Sequence, residues 1–301
     1  MPSTVLVTGA SGFVGSHLCA ALVEAGHDVR AMTRHPERYR GAGTPVAGDV
    51  FDADSLVEPL KSADVAYYLV HSLGSDDFAE KDATAARAFS KAAGDAGVER
   101  IIYLGGLGDD AANLSKHLRS RREVEALLAE SGVPVTVLRA AVVIGHGGIS
   151  WEITRQLVDH LPVMVAPRWV VTKTQPIALT DVIRYLVGVL EPVEARGRVF
   201  EIGGPDVLNY AEMLRRVARI RYGRPLPIVS LPLLTPGLSS RWLALVTDVD
   251  TPTGRNLIDS MTNEVIVRDH SITDVVPGPT LGYDDAVRQA FAAREKAAAA
   301  R

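Results

Sequence analysis

The sequence predicts an α/β fold, a doubly wound parallel sheet with a smaller C-terminal substrate domain. Three observations predict it. Short apolar runs alternate with segments of helical period through the first half, a glycine-rich turn joins the first run to the first helix, and the composition shifts after residue 148.

The apolar runs TVLVT, HDVRAMT, TPVAG, VAYYLV, RIIYLGG and PVTVLRAAVVI read as strands, and six β/α steps fill roughly the first 145 residues. Val14, Leu18 and Leu22 keep helical spacing before Gly26 stops the first helix. DFAEKDATAARAFSKAAGDAG and SKHLRSRREVEALLAESG each read as a helix ending on glycine, the second with Ser115 as its N-cap. With the glycine-rich turn after its first strand, the segment 1–148 reads as a dinucleotide-binding domain. Residues 149–301 form mainly the substrate domain, and segments near 176–206 return to the first domain through a helix capped by Thr180 or Asp181 and a strand, RVFEIGG. The stretch from Pro225 to Val246 is apolar and punctuated by prolines, and the final REKAAAAR reads as a fraying helix end or a tail.

A chain of 301 residues with 47% hydrophobic and 23% charged residues is globular in composition. Its net charge of −4 leaves no basic excess to displace counterions, which argues against a nucleic-acid partner. Cys19 is the single cysteine, so an intrachain disulfide and a cysteine-rich metal site are both excluded, and its neighbours suggest a packed helix face. The histidines and carboxylates show no ligand spacing, so no metal is expected. No apolar run is long enough to span a membrane, and no leader pattern precedes the first strand, so the expected setting is cytoplasmic.

Gly9, Gly12 and Gly15 follow the first strand and open the first helix. Such a turn needs glycine for the bend, for close approach of a pyrophosphate to the backbone and for packing of helix on strand, so the sheet reads as Rossmann-type. The second strand ends Ala31, Met32, Thr33, Arg34, His35 with no carboxylate to hold a ribose 2′-hydroxyl. Arg34 can instead pair with a 2′-phosphate, with Arg30, Arg38 and Arg40 nearby, so NADP is expected rather than NAD. Asp49 can accept from an adenine amino group with Val50 against the ring, or can serve as a helix cap, a role that Asp52 satisfies better.

TGASGFVG, GDVFD, YYLVHS, RIIYLGG, PIALTDV and VFEIGGP together resemble the short-chain dehydrogenase/reductase superfamily in its extended and atypical branches, with HLRSRREVE and VPVTVLRAAVVIG closest to the NmrA-like and complex I subunit-like kind. The resemblance covers nearly the whole chain. It implies cofactor contacts from Gly9, Ser11, Gly12, Phe13, Gly15, Arg34, Asp49, Val70 and His71. It also implies Leu104 and Gly105 beside the nicotinamide ribose, and the turn from Arg139 to Val142, with Ala140 and Ala141, near the carboxamide.

The superfamily's chemistry uses a hydroxyl after the fifth strand and a tyrosine four residues before a lysine. This chain departs from that pattern: Gly106 or Leu107 stands where the hydroxyl would be, and the best match on the next helix is His117 with Arg121. Their spacing puts both on one helix face, where His117 is the candidate proton donor and Arg121 a candidate ribose or phosphate contact, or where both belong to a solvated polar face. His71 and His146 lie at expected strand mouths. Trp151, Arg155, Arg168, Trp169 and Lys173 fall where the nicotinamide end would be covered, as pocket lining or as core and surface residues.

Two functions are consistent with these residues. One is an NADP-dependent oxidoreductase transferring hydride to a small apolar carbonyl, enone or quinone. The other is a non-catalytic NADP-binding protein, of NmrA-like type, with a regulatory or assembly partner. Either a monomer or a homodimer fits.

Overall fold

The computed structural model describes residues 2–72, 74–75, 77–110, 112–166, 168–230, 247 and 251–299. Most of the apolar stretch from Pro225 to Val246 and the side chains of Arg168 and Trp169 lie outside the described residues.

The first half runs β1 (Thr4–Val7), α1 (Phe13–Glu24), β2 (Asp28–Thr33), β3 (Thr44–Ala47), α2 (Val57–Leu60), β4 (Val65–Tyr68), α3 (Phe78–Asp95), β5 (Arg100–Gly106), α4 (Lys116–Leu128) and β6 (Val135–Ala140). The second half runs β7 (Val143–Ile144), α5 (Ile149–His160), β8 (Met164–Ala166), β9 (Lys173–Thr174), β10 (Ile177–Ala178), α6 (Leu179–Gly188), β11 (Val199–Ile202), β12 (Leu208–Asn209), α7 (Tyr210–Tyr222), β13 (Ile228–Ser230), α8 (Thr251–Ser260), α9 (Ile272–Val275) and α10 (Tyr283–Ala299).

Seven strands pair in the order β11-β6-β5-β4-β1-β2-β3, and every pairing is parallel. Both faces are covered, as a parallel sheet requires. Val5 and Val7 point into a core with Leu18, Cys19 and Leu22 of α1 and Val182, Tyr185 and Leu186 of α6. Leu6, between them, joins the opposite core with Leu56, Phe89, Val124 and Leu128. Period-two alternation along β1 thus feeds two helical layers. A third core, containing Trp151, Leu157, Met213, Val217, Val287 and Phe291, holds the smaller C-terminal subdomain together.

Strand order reverses between β1 and β4, which opens a crevice at their carboxyl ends. Thr8 ties its walls together: its Oγ1 donates to the Tyr67 carbonyl at 3.0 Å and accepts from the Leu69 N–H at 3.0 Å.

Two local expectations are corrected. PVTVLRAAVVI is two strands, because β7 leaves the main sheet to pair with β10. The helix after PIA starts at Leu179 with Ala178 as its uncapped N-cap; Asp181 lies in its first turn and accepts from the Leu281 N–H at 2.8 Å, so the carboxylate anchors a distant loop. REKAAAAR is the end of a helix through Ala299, the last turns of α10, and Phe291 earlier on that helix meets Trp151 edge-on at 5.2 Å.

Candidate dinucleotide and reaction site

The glycine turn has the geometry of a phosphate cradle. Gly9 has φ +64°, a left-handed conformation that favours glycine, and its carbonyl accepts from the Gly12 N–H at 2.9 Å. A Cβ on Gly15 would lie 2.2 Å from the Gly9 carbonyl oxygen, so only glycine allows α1 to start so close to the turn. Around Gly12 the sole neighbour of an added Cβ is that same oxygen, at 3.1 Å, which leaves the outer face open. The first turn of α1 carries no acidic residue and its N-cap, Gly12, supplies no side-chain cap, so the turn forms a helix terminus that favours an anion. Ser11 is exposed beside them. These residues fit a dinucleotide pyrophosphate.

Phe13 does more than stand in the loop. Its ring fills the space above Gly145 and Gly148, where an added Cβ would come within 3.0 and 2.6 Å of it, so it packs the cradle against the turn that enters the second subdomain. Val70 flanks the same turn, with its Cγ2 3.6 Å from the position a Gly9 Cβ would take.

At the end of β2, Arg34 is exposed and makes no hydrogen bond or ion pair with the described residues. Its neighbours are committed elsewhere. Arg30 donates to the carbonyls of Pro59 and Lys61, Arg40 to those of Glu37 and Tyr39, and Arg38 sits 3.6 Å from Glu37. Asp49 Oδ1 accepts from the Phe51 N–H at 3.0 Å and shapes the loop after β3. Val50 is only 3% exposed and packs in the core, whereas Phe51 offers free apolar surface next to Asp49.

The other end of the crevice holds a charged cluster that spacing alone did not reveal. Arg121 and Asp82 form an ion pair between α4 and α3, with 5% and 3% of their surfaces exposed. Burial raises the Asp82 carboxyl, while Arg121 and hydrogen bonds from Ser72 oppose that rise. His71 is open to solvent at its surface yet set deeply enough in the crevice that burial, with the Arg121 charge second, lowers it from 6.5 to about 4. His117, on the same helix as Arg121, is lowered to about 3 by burial, then by Arg121 and by His71. Its Nδ1 lies 2.9 Å from Ser260 Oγ on α8.

Gly106, one of the two residues expected where a hydroxyl would stand, is crowded: a Cβ there would meet Leu118 Cδ2 at 2.9 Å and Arg121 Cγ at 3.4 Å. Arg122 then draws the following loop onto α4 by donating to the carbonyls of Gly106 and Gly108, each at 2.7 Å. Leu104 is half-buried and Gly105 buried beside Tyr103. Ala140 is buried, and Ala141 packs on Leu107, Leu114, Leu118, Val265 and Val267.

Other sequence candidates lie apart from this cluster. His146 pairs with Glu152 at 3.2 Å, Arg155 is held by Glu152 and Asp159, Trp151 is fully buried in the third core, and Lys173 is exposed on β9. Thr8, Ser72, Asp82, Arg122 and Ser260 were missed, and Ser260 had no signal to find, lying 143 residues from its partner. Among the described residues, no helix is long and apolar enough to cross a membrane.

A family model described as NAD(P)H-binding matches residues 9–168. A (4-alkanoyl-5-oxo-2,5-dihydrofuran-3-yl)methyl phosphate reductase of Streptomyces griseus is 28% identical over 268 residues, 85% of each chain. The fold is shared with a nucleoside-diphosphate-sugar epimerase of Staphylococcus aureus at TM-score 0.78 and 16% identity, over 95% of this chain and 99% of that one. It is shared equally with an NADPH-dependent quinone oxidoreductase of Escherichia coli at TM-score 0.77 and 20% identity, over the same shares. The chain belongs to the NAD(P)H-binding family, whose model matches more than half of it.

Proposed function

We propose that the protein is an NADP(H)-dependent reductase of conjugated acceptors, enones or quinones. What supports this reading is the placing of two imidazoles, His71 and His117, beside the buried Arg121 guanidinium, whose charge disfavours protonation of either ring. At neutral pH neither stores a proton, and the chain lacks the hydroxyl-tyrosine-lysine set. A site without a strong acid suits an acceptor whose reduced form carries its charge on a delocalised oxygen and takes a proton from water.

Bound NADPH supplies the hydride. The backbone at Gly9, Gly12 and Gly15 holds the pyrophosphate, Arg34 pairs with the 2′-phosphate, and Asp49 with Phe51 receives the adenine. Arg121, whose Nε has no partner among the described residues, is a fixed positive charge acting on both imidazoles, and Asp82 holds it in place. The Streptomyces relative, a reductase of an alkanoyl oxo-dihydrofuran, is in keeping with a conjugated substrate.

The crowding at Gly106 favours a second reading, an NADP-binding protein that regulates or assembles with a partner and turns nothing over. One experiment separates the two: NADPH oxidation followed with a panel of quinones, enones and saturated ketones. Turnover with conjugated members and none with saturated ketones is expected. Tight NADPH binding without turnover of any member would overturn the reductase.

A further inference from the structure

The hydrogen bond between His117 and Ser260 fixes more than a side-chain position. A serine hydroxyl carries one proton and two lone pairs. Ser260 Oγ lies 2.9 Å from the Asn256 carbonyl one turn earlier on α8, and 2.9 Å from His117 Nδ1. The carbonyl can only accept, so the hydroxyl proton goes to Asn256. What remains for the imidazole is a lone pair, which requires Nδ1 to carry the hydrogen. The ring is neutral, so Nε2 is bare. Phe78 meets the ring edge-on at 6.4 Å, which restricts its rotation.

We propose that Ser260 is a positioning residue that locks His117 as the Nδ1–H tautomer, making Nε2 a hydrogen-bond acceptor. His117 then recognises a donor on the ligand, a hydroxyl, enol or amide N–H, and supplies no proton to it. Donors and acceptors exchange roles relative to a tyrosine at this helix position. The helix that sets the tautomer, α8, follows the two-subdomain boundary by about a hundred residues, so the smaller subdomain determines the polarity of a side chain in the larger one. The role in turnover rests on the reductase reading, whereas the tautomer does not.

The test is a long-range ¹H–¹⁵N correlation spectrum of the cofactor-free protein at neutral pH, with His117 assigned by its loss in His117→Phe. The wild type is expected to show the Nδ1–H pattern. Ser260→Ala, checked by thermal melting to be folded, is expected to move His117 to Nε2–H or to an exchanging mixture, and Ser260→Thr to restore Nδ1–H. An Nε2–H or averaged pattern in the wild type, or an unchanged pattern in Ser260→Ala, overturns the proposal. Neither result depends on turnover, so a failure of the reductase reading would be seen separately, in the NADPH panel.

Discussion

Arg121 is paired with Asp82 across α4 and α3 in a buried contact, so the guanidinium is held in place by a carboxylate from the neighbouring helix. Removing one partner leaves an uncompensated buried charge. Asp82→Ala is expected to lower stability by about 3–5 kcal/mol, and Asp82→Leu combined with Arg121→Leu by much less. Urea unfolding of both variants checks the difference; equal losses would mean that the pair's charge is not what matters.

Gly15→Ala places a Cβ against the backbone oxygen of Gly9, which no side-chain rotation can relieve. The expected outcome is a loss of about 1–3 kcal/mol in stability and a larger loss of dinucleotide affinity, because the cradle itself must shift. Calorimetric titration with NADPH, beside thermal unfolding, measures both. Affinity retained at the wild-type level would remove the glycine turn from the binding site.

Gly106→Ser restores the missing hydroxyl but not its room. Its Cβ presses on Leu118, a flexible neighbour, so the variant should fold with about 1–3 kcal/mol less stability and gain no activity toward saturated ketones. A saturated-ketone reductase emerging from this single change would show that the hydroxyl alone was lacking.

The two histidines set a pH dependence. Both have folded values below the unfolded 6.5, at about 4 and about 3, so the unfolded chain binds protons first as pH falls. Their contribution is fully present above pH 6.5 and is lost progressively below it. Denaturation midpoints should therefore drop between about pH 6.5 and about pH 5, and His117→Phe should flatten part of that slope. A midpoint that stays level or rises over this window would contradict the burial of the His117 ring.

The sheet was legible because each signal was local. Strand runs, the glycines at Gly9, Gly12 and Gly15, and the stops at Gly26 and Gly97 all act within a few residues, and both stops have positive φ. The break between β6 and β7 was not legible, since AAVVI is apolar whichever sheet it joins. The site divides in the same way. The exposed position of Arg34 could be read from its place after β2, but Asp82 and Ser260 reach Arg121 and His117 across 39 and 143 residues, and nothing in their surroundings marks them. Spacing correctly put His117 and Arg121 on one helix face; only tertiary packing tells that one is tied to a serine and the other to an aspartate.

The central claim is that the glycine turn and Arg34 together bind a 2′-phosphorylated dinucleotide. Calorimetric titration of the wild type and of Arg34→Ala with NADPH and with NADH tests it most directly. The wild type is predicted to prefer NADPH by about tenfold or more, about 1.4 kcal/mol, and Arg34→Ala to lose most of that preference while binding NADH as before. Equal affinities in the wild type, or an undiminished preference in the variant, would contradict it.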